Sequence, residues 1–494
     1  MKIFLIWPTR DPHMKTLISE LEKGGCLAVY WVCHPTAEKY GSNGTVVHRY
    51  TDAMLGLTPK EIDISEFSPP SAEILNKFHD VESVVLTMMN RTVAGWGTDE
   101  RKHLYYTMLR YWLGVFKKYK PDAVIFPITP HFVYDYVIYA LARFFGVKTI
   151  CFYDTPIPGR ALLYGDDILD GSKALLEAFN KNKNQKFSVR DLAKDIREYY
   201  EPRIGEEYDA VPSAVMEQKR NYSVFHQLFL DPSVRKSVRD LSFFYKAPRY
   251  AWNTFKQKKL ELLAAPAFFA RHLFFPNLKK EYRSVETPPD FAKKFVYVPL
   301  HMQPECTTSP EGGVFVDQIL MLETASAAVP DDWIIYVKEH PIQWLRFGID
   351  YGDDRYRGYY QKMVRIPKVR IVPANTNSYE LIRRSQAVVT VASSAAWESA
   401  LLSKPAVIFG YPWFQHCPGI LKADGVESCK AALEKIVSGF KIDRQEIINY
   451  LKSYEEASIP AFIDHSAGRG SALSREESMK NIAQVVLKEL KIKN

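Results

Sequence analysis

In "WIIYVKEHPIQW", residues 333 to 344, Lys338 and His340 stand two apart at the end of an apolar run. On a strand they share one face while Glu339 takes the other. Two cationic donors would then leave one sheet edge together. Pro341, which has no amide donor, predicts that the strand stops there. In "VASSAAWES", 391 to 399, Ser393 and Ser394 fall where an apolar run gives way to a helical pattern. Their hydroxyls and free amides would form an anion-binding helix N-terminus, and Glu398 follows Ser394 by one helical turn. A third segment of the same kind, "PLHMQPE" (299 to 305), contributes Gln303 and Glu305. Taken singly, charges at a strand end are ordinary surface and a serine before a helix is an ordinary cap. Together they supply positive charge, neutral donors and a carboxylate able to accept from ribose hydroxyls, which is a site for a nucleotide phosphate attached to a sugar.

Parallel strands must bring these segments together. "KFVYVPL" (294–300), "DWIIYVK" (332–338), "VRIVP" (369–373), "AVVTVA" (387–392) and "PAVIFG" (405–410) are short runs rich in Val and Ile. Helical segments near 314–328, 377–385 and 395–403 separate them. That alternation predicts a parallel sheet covered on both faces, with ligands beyond the carboxyl ends of its strands. The first half repeats the scheme, with strands at 2–7, 26–33, 121–128 and 147–154 and helices near 13–23 and 131–145. The expected class is α/β, two Rossmann-like domains facing a cleft. The expected divisions are 1–234, an acceptor-side domain; 235–290, a basic aromatic linker; 291–440, the nucleotide-sugar domain; and 441–494, a helical tail. In that tail Ser474 and Glu477 have capping-box spacing, and Ile482, Val485, Val486 and Leu490 form one apolar stripe.

The composition narrows the classes. The chain has 494 residues, 47% hydrophobic and 25% charged, which is enough for more than one core. No uninterrupted apolar run is long enough to cross a bilayer, and "MKIFLIWPTR" reads as a first buried strand rather than a signal peptide. A cytoplasmic location is the default expectation. Six cysteines without metal-type spacing point to free thiols. The zinc-protease, P-loop and serine-hydrolase signatures are absent. The net charge of +8 is concentrated between Arg235 and Arg283, where twelve Lys/Arg face three acids among many aromatic residues. That composition suits an anionic membrane surface at the inner face of the cytoplasmic membrane. No nucleic-acid motif accompanies it, and a solvated linker is the alternative.

The segments "VPLHMQPECTTSPEGGVFVDQILML" (298–322), "VKEHP" (337–341) and "VVTVASSAAWESALLSKPAVIFGYPWF" (388–414), with a weaker echo in "PHFVYDYVIYALARFFGV" (130–147), resemble the bacterial capsule-polysaccharide synthesis proteins. That family includes Kdo transferases of the two-domain GT-B type. The pairing of His-Pro with Ser-Ser is also similar to that of bacterial sialyltransferases. The resemblance implies transfer of Kdo or a related acidic sugar from a CMP-sugar onto a polysaccharide or lipid-linked acceptor. Ser393-Ser394 stands where a Gly-Thr pair is expected, and Ala396 and Ser399 replace Gly and Ala. Polyol-phosphate transfer from a CDP-alcohol uses similar elements, and a non-catalytic scaffold of a capsule-assembly complex is the reading from another class.

The acceptor side is expected in the first domain. His131 and Asp135 lie four apart at the opening of a helix after a strand, so they share a face. Asp135 would deprotonate an acceptor hydroxyl or act as nucleophile. Asp154, at the next strand end, is its rival, and stabilisation of the helix dipole is the plain alternative. With cationic side chains neutralising the leaving phosphate, neither metal nor cofactor is required.

Overall fold

The computed structural model describes the whole chain except residues 43, 207, 209–275, 304, 341–342, 344–350, 465–466 and 492–494. Most of the basic aromatic stretch therefore lies outside the described residues. Its last part is the helix Leu278–Val285.

Two sheets organise the chain. The first holds β1 (Lys2–Ile6), β2 (Leu27–Cys33), β3 (Val46–Arg49), β4 (Ala123–Phe126), β5 (Lys148–Asp154) and β6 (Arg160–Tyr164). The second holds β7 (Phe295–Pro299), β8 (Ile334–Lys338), β9 (Val369–Ile371), β10 (Ala387–Thr390), β11 (Ala406–Ile408) and β12 (Ile420–Lys422). A late strand, β13 (Ile459–Pro460), returns to the first sheet, whose order is β13-β6-β5-β4-β1-β2-β3; the second runs β12-β11-β10-β7-β8-β9. Every pair in the second sheet is parallel, whereas β5–β6 and β6–β13 are antiparallel. β7 and β10 are buried along their whole length. That explains why they read as continuous Val-rich runs rather than alternating ones. Two Rossmann-like domains result.

Local chemistry sets the element ends that matter. Asn377 caps the helix Ser378–Arg384 by accepting from Glu380 N at 2.9 Å. Ser474 and Glu477 form the expected reciprocal box, at 3.1 and 3.2 Å, before the helix Arg475–Lys491. On that helix Ile482, Val486 and Leu490 are buried against the first domain. Arg475 pairs there with buried Asp11, so the tail is bound to the half of the molecule that holds the N-terminus.

The helix Ser394–Leu401 is anchored by Trp397, whose Nε1 donates to Tyr199 OH at 3.0 Å and whose ring packs on Trp413 at 4.8 Å. Tyr199 belongs to the helix Lys194–Arg203, so one indole fixes the serine turn against the segment leading out of the first domain. Burial of a ring this size is worth about 3–5 kcal/mol by truncation.

Candidate active site at the seam of the two sheets

Because β10, β7 and β8 are parallel neighbours, their carboxyl ends lie side by side. The three segments read from the sequence therefore converge, with Pro299 in register with Lys338. Lys338 is buried, and its ammonium donates to Thr376 O at 2.7 Å and to Ser378 Oγ. Ser393 caps the helix Ser394–Leu401, its Oγ accepting from Ala395 N at 3.3 Å, while Ser394 is exposed. Glu398 is pushed up to about 7 by burial, against the opposing pull of Arg203, Lys338 and the Ser394 hydroxyl. A lysine, the serine turn and a carboxylate thus share one strand-end crevice, with Arg203 an addition that the sequence did not single out.

His340 departs from the expectation of a second cation. Its amide donates to Glu339 Oε1 at 2.7 Å, and burial draws its imidazole down to about 4, against the opposing charge of Glu339 and with Lys338 and Arg355 adding to the effect. The cost of burying an imidazolium outweighs the pull of Glu339, which Lys338 and Arg355 offset. His340 stands at the edge of Lys338 as a neutral group.

Glu339, on the opposite face, is the centre of a buried network. Its carboxylate accepts from Arg355 Nε at 2.9 Å and from Tyr360 OH, and neither member of the Glu339–Arg355 pair reaches solvent appreciably. Arg355 also donates to His301 O at 2.8 Å and to Gln303 Oε1. Gln303 meanwhile donates to Val316 O at 3.0 Å and accepts from Gln318 at 2.7 Å, so the structure places it in the support of the crevice. His301, within the quoted "PLHMQPE" but not singled out, accepts the Ala392 amide on Nε2 at 3.0 Å. It thereby ties the end of β7 to the turn after β10. Burial takes its ring down to about 3.

On the facing wall, Asp135 sits in the first turn of the helix Val133–Phe144. Its Oδ2 accepts from His131 N at 3.3 Å, and its Oδ1 has no hydrogen-bond partner among the described residues. Burial raises its carboxyl well above the usual range, while amides at His131, Tyr136 and Phe132 and the charge of Arg91 favour the anion. His131 donates Nδ1–H to Thr129 O at 2.7 Å, and burial brings it down to about 4. The residues His131 and Asp135 are thus together, as their spacing implies.

Asp154 lies elsewhere. Its carboxylate accepts the amides of Ile463 and Asp464, each at 2.8 Å, which joins the tail to β5.

The two walls touch. Arg91 lies over Phe132 at 4.7 Å and reaches Glu305 at 3.7 Å, while Thr129 Oγ1 donates to Glu311 Oε1 at 3.3 Å. Glu311, also missed in the sequence, sits where a β-carbon on Gly410 would come within 2.6 Å of its carbonyl oxygen. Only glycine allows that approach without displacing the loop. Nearby, Arg101 pairs with Asp353 and Asn90 donates to Asp354 at 2.7 Å, closing the seam further out.

No curated protein matches the chain. Among solved structures, the Thermosulfurimonas dismutans KpsC beta Kdo 2,7 transferase is 12% identical, with 82% of this chain and 96% of that chain covered and a TM-score of 0.30. The beta Kdo 2,4 transferase of the same protein is 12% identical over 69% and 85%, with a TM-score of 0.31. UDP-GlcNAc 2-epimerase from Neisseria meningitidis is 10% identical over the full length of both chains, at 0.25. Scores this low leave the fold to be argued from the two sheets themselves. Residues 293–443, which carry the second sheet and all three strand-end segments, match the family described as capsule polysaccharide biosynthesis protein. It is this domain, and not the first, that is similar to the capsule polysaccharide biosynthesis family.

Proposed function

We propose that this protein is a glycosyltransferase that moves Kdo or a related acidic sugar from a CMP-sugar onto a surface polysaccharide or its lipid-linked primer. The observation that carries the reading is the convergence of Lys338, Ser394 and Glu398 at the carboxyl edge of the second sheet, with Asp135 on the facing wall. In the proposed mechanism the serine-turn amides, the Lys338 ammonium and the His340 imidazole hold the phosphate of CMP. Glu398 accepts from the ribose hydroxyls. Asp135 receives the acceptor's proton or attacks the sugar itself. A single charge-assisted contact contributes about 1.5–3 kcal/mol, far below the ~8–23 kcal/mol that enzymes remove from a barrier. The donors must therefore act jointly, with the two walls supplying orientation.

The test is to assay the purified chain for nucleotide release from a panel of CMP-sugars, CDP-alcohols and UDP-sugars. Release of CMP from an acidic CMP-sugar supports the reading. Release from a CDP-alcohol alone replaces it with polyol-phosphate transfer, and no release from any donor leaves a scaffold.

If His340 helps hold the leaving phosphate, His340→Ala should lower turnover by about 10²–10³, the usual loss for one preorganised donor. Its half-buried ring predicts a melting temperature close to wild type. Unchanged turnover with an early melt would make the histidine structural.

A lipid-linked acceptor would also give the basic stretch a purpose. Each basic residue near an anionic surface contributes about 1 kcal/mol, and the attraction is screened beyond about 8 Å at physiological salt. We expect co-sedimentation with vesicles containing anionic lipid at low salt. It should weaken at high salt and in a variant with Lys256, Lys258, Lys259, Lys279 and Lys280 all changed to Gln. Equal sedimentation of variant and wild type would remove the membrane from the account.

A further inference from the structure

Two carboxyl oxygens in the seam have no hydrogen-bond partner among the described residues: Asp135 Oδ1 on one domain and Glu311 Oε2 on the other. Glu311 is fully buried, and among the described residues its other oxygen receives only the Thr129 hydroxyl, from across the seam. Both carboxyls raise the Cys151 thiol, so one buried residue lies within electrostatic reach of the two. Buried polar atoms are nearly always paired. An unpaired oxygen on each side of one interface therefore marks a place for a molecule with hydrogen-bonding groups of its own.

The position of Glu311 on its domain says which part of that molecule it meets. Its loop follows β7 and packs on the end of β10. A β-carbon on Gly312 would lie 3.1 Å from Val391 Cγ1, and Glu311 O accepts from Tyr411 N at 2.8 Å. Val391 leads directly into Ser393 and Ser394, so Glu311 belongs to the wall assigned to the leaving phosphate. Asp135 belongs to the wall assigned to the acceptor.

We propose that Glu311 is the general acid of the transfer, giving its proton to the phosphate oxygen of the departing nucleotide. The proposal rests on the nucleotide-sugar reading above. As the sugar–phosphate C–O bond breaks, its electron pair stays on the phosphate oxygen, which takes the Glu311 proton. The acceptor oxygen bonds to the sugar carbon that the phosphate leaves, and its proton passes to Asp135, which serves as base in its ionised form. Both carboxyls return to their resting states by exchange with water when the domains part to release product. No metal, oxidant or reductant enters the balance.

The surroundings favour this assignment over the nearby bases. Among the described residues, the groups facing Glu311 are Thr129 after β4, Cys151 and Tyr153 on β5, Tyr164 on β6, and Cys306 of its own loop. None of these supplies a positive charge, and burial pushes the carboxyl up to about 8. His340 and His301, held down to about 4 and about 3, are neutral imidazoles near pH 7, able to donate a hydrogen bond but without an imidazolium proton to transfer. A carboxyl kept neutral by burial is a recurrent way of running acid chemistry near pH 7.

The experiment measures kcat and donor KM for CMP release across neutral to alkaline pH, for wild type and Glu311→Gln, with the donor found in the panel. Because a raised carboxyl loses its proton as pH rises through about 8, wild-type kcat should fall above that pH. Glu311→Gln should lose about 10²–10⁴ in kcat, the usual share of a general acid, keep a KM near wild type, and show no alkaline fall. A variant with wild-type kcat, or one that keeps the alkaline limb, would overturn the proposal. If the variant does not fold, a wild-type profile that stays flat through pH ~8 overturns it alone. A wild type that releases nothing from any donor defeats the nucleotide-sugar reading and this proposal together, whereas an active wild type with an indifferent variant removes Glu311 only.

Discussion

Asp135→Asn is expected to lower transfer by about 10²–10⁴, the range for a positioned general base, while leaving CMP binding intact. The substitution preserves volume and can still accept the His131 amide, so the first turn of the helix Val133–Phe144 should survive. What disappears is the carboxyl that, once ionised, would take an acceptor proton or attack the sugar. Oδ1, without a partner among the described residues, gives the residue a direction of action that a dipole-stabilising aspartate would not need. Steady-state transfer alongside calorimetric titration of CMP separates the roles. Full transfer by a variant that binds CMP normally would take the chemistry away from Asp135. Asp154 is a poor successor, since its carboxylate already receives two amides of the tail.

Arg355→Ala should have the largest effect on stability. Glu339 is wholly buried, and its charge is balanced by the Arg355 guanidinium at 2.9 Å. Removing one partner of a buried pair leaves the other charge uncompensated, at a cost of about 3–5 kcal/mol. Arg355 also holds His301 O and Gln303, so the ends of β7 and β8 should loosen together. Denaturant unfolding should show a loss of that size, and CMP affinity should fall with it. A shift under about 1 kcal/mol would mean that the network contributes little net stability.

The sequence made the sheets legible because their strands are buried on both faces and therefore spelled in consecutive Val and Ile. It also placed Lys338, Ser393, Ser394 and Glu398 at one edge, since parallel strands end together. The antiparallel β6 and β13 were missed: "RALLY" and the two-residue "IP" carry no period long enough to read. The charge state of His340 was hidden for another reason. Its neutrality comes first from burial by the folded chain, with Lys338 and then Arg355, fifteen residues away, adding to it. Glu311 was concealed in the same way, because its environment is made by Thr129, Cys151 and Tyr164, all on the other domain. A tail that reads as a separate helical end is bound to the first domain by Arg475 and Asp11, a pairing 464 residues apart.

A crystal structure of the protein with CMP tests the central claim most directly. The account predicts the phosphate at the N-terminus of the helix Ser394–Leu401, within hydrogen-bond distance of the serine turn and beside His340, with the ribose hydroxyls on Glu398. CMP bound elsewhere, or a phosphate in the crevice with the ribose turned away from Glu398, would contradict it.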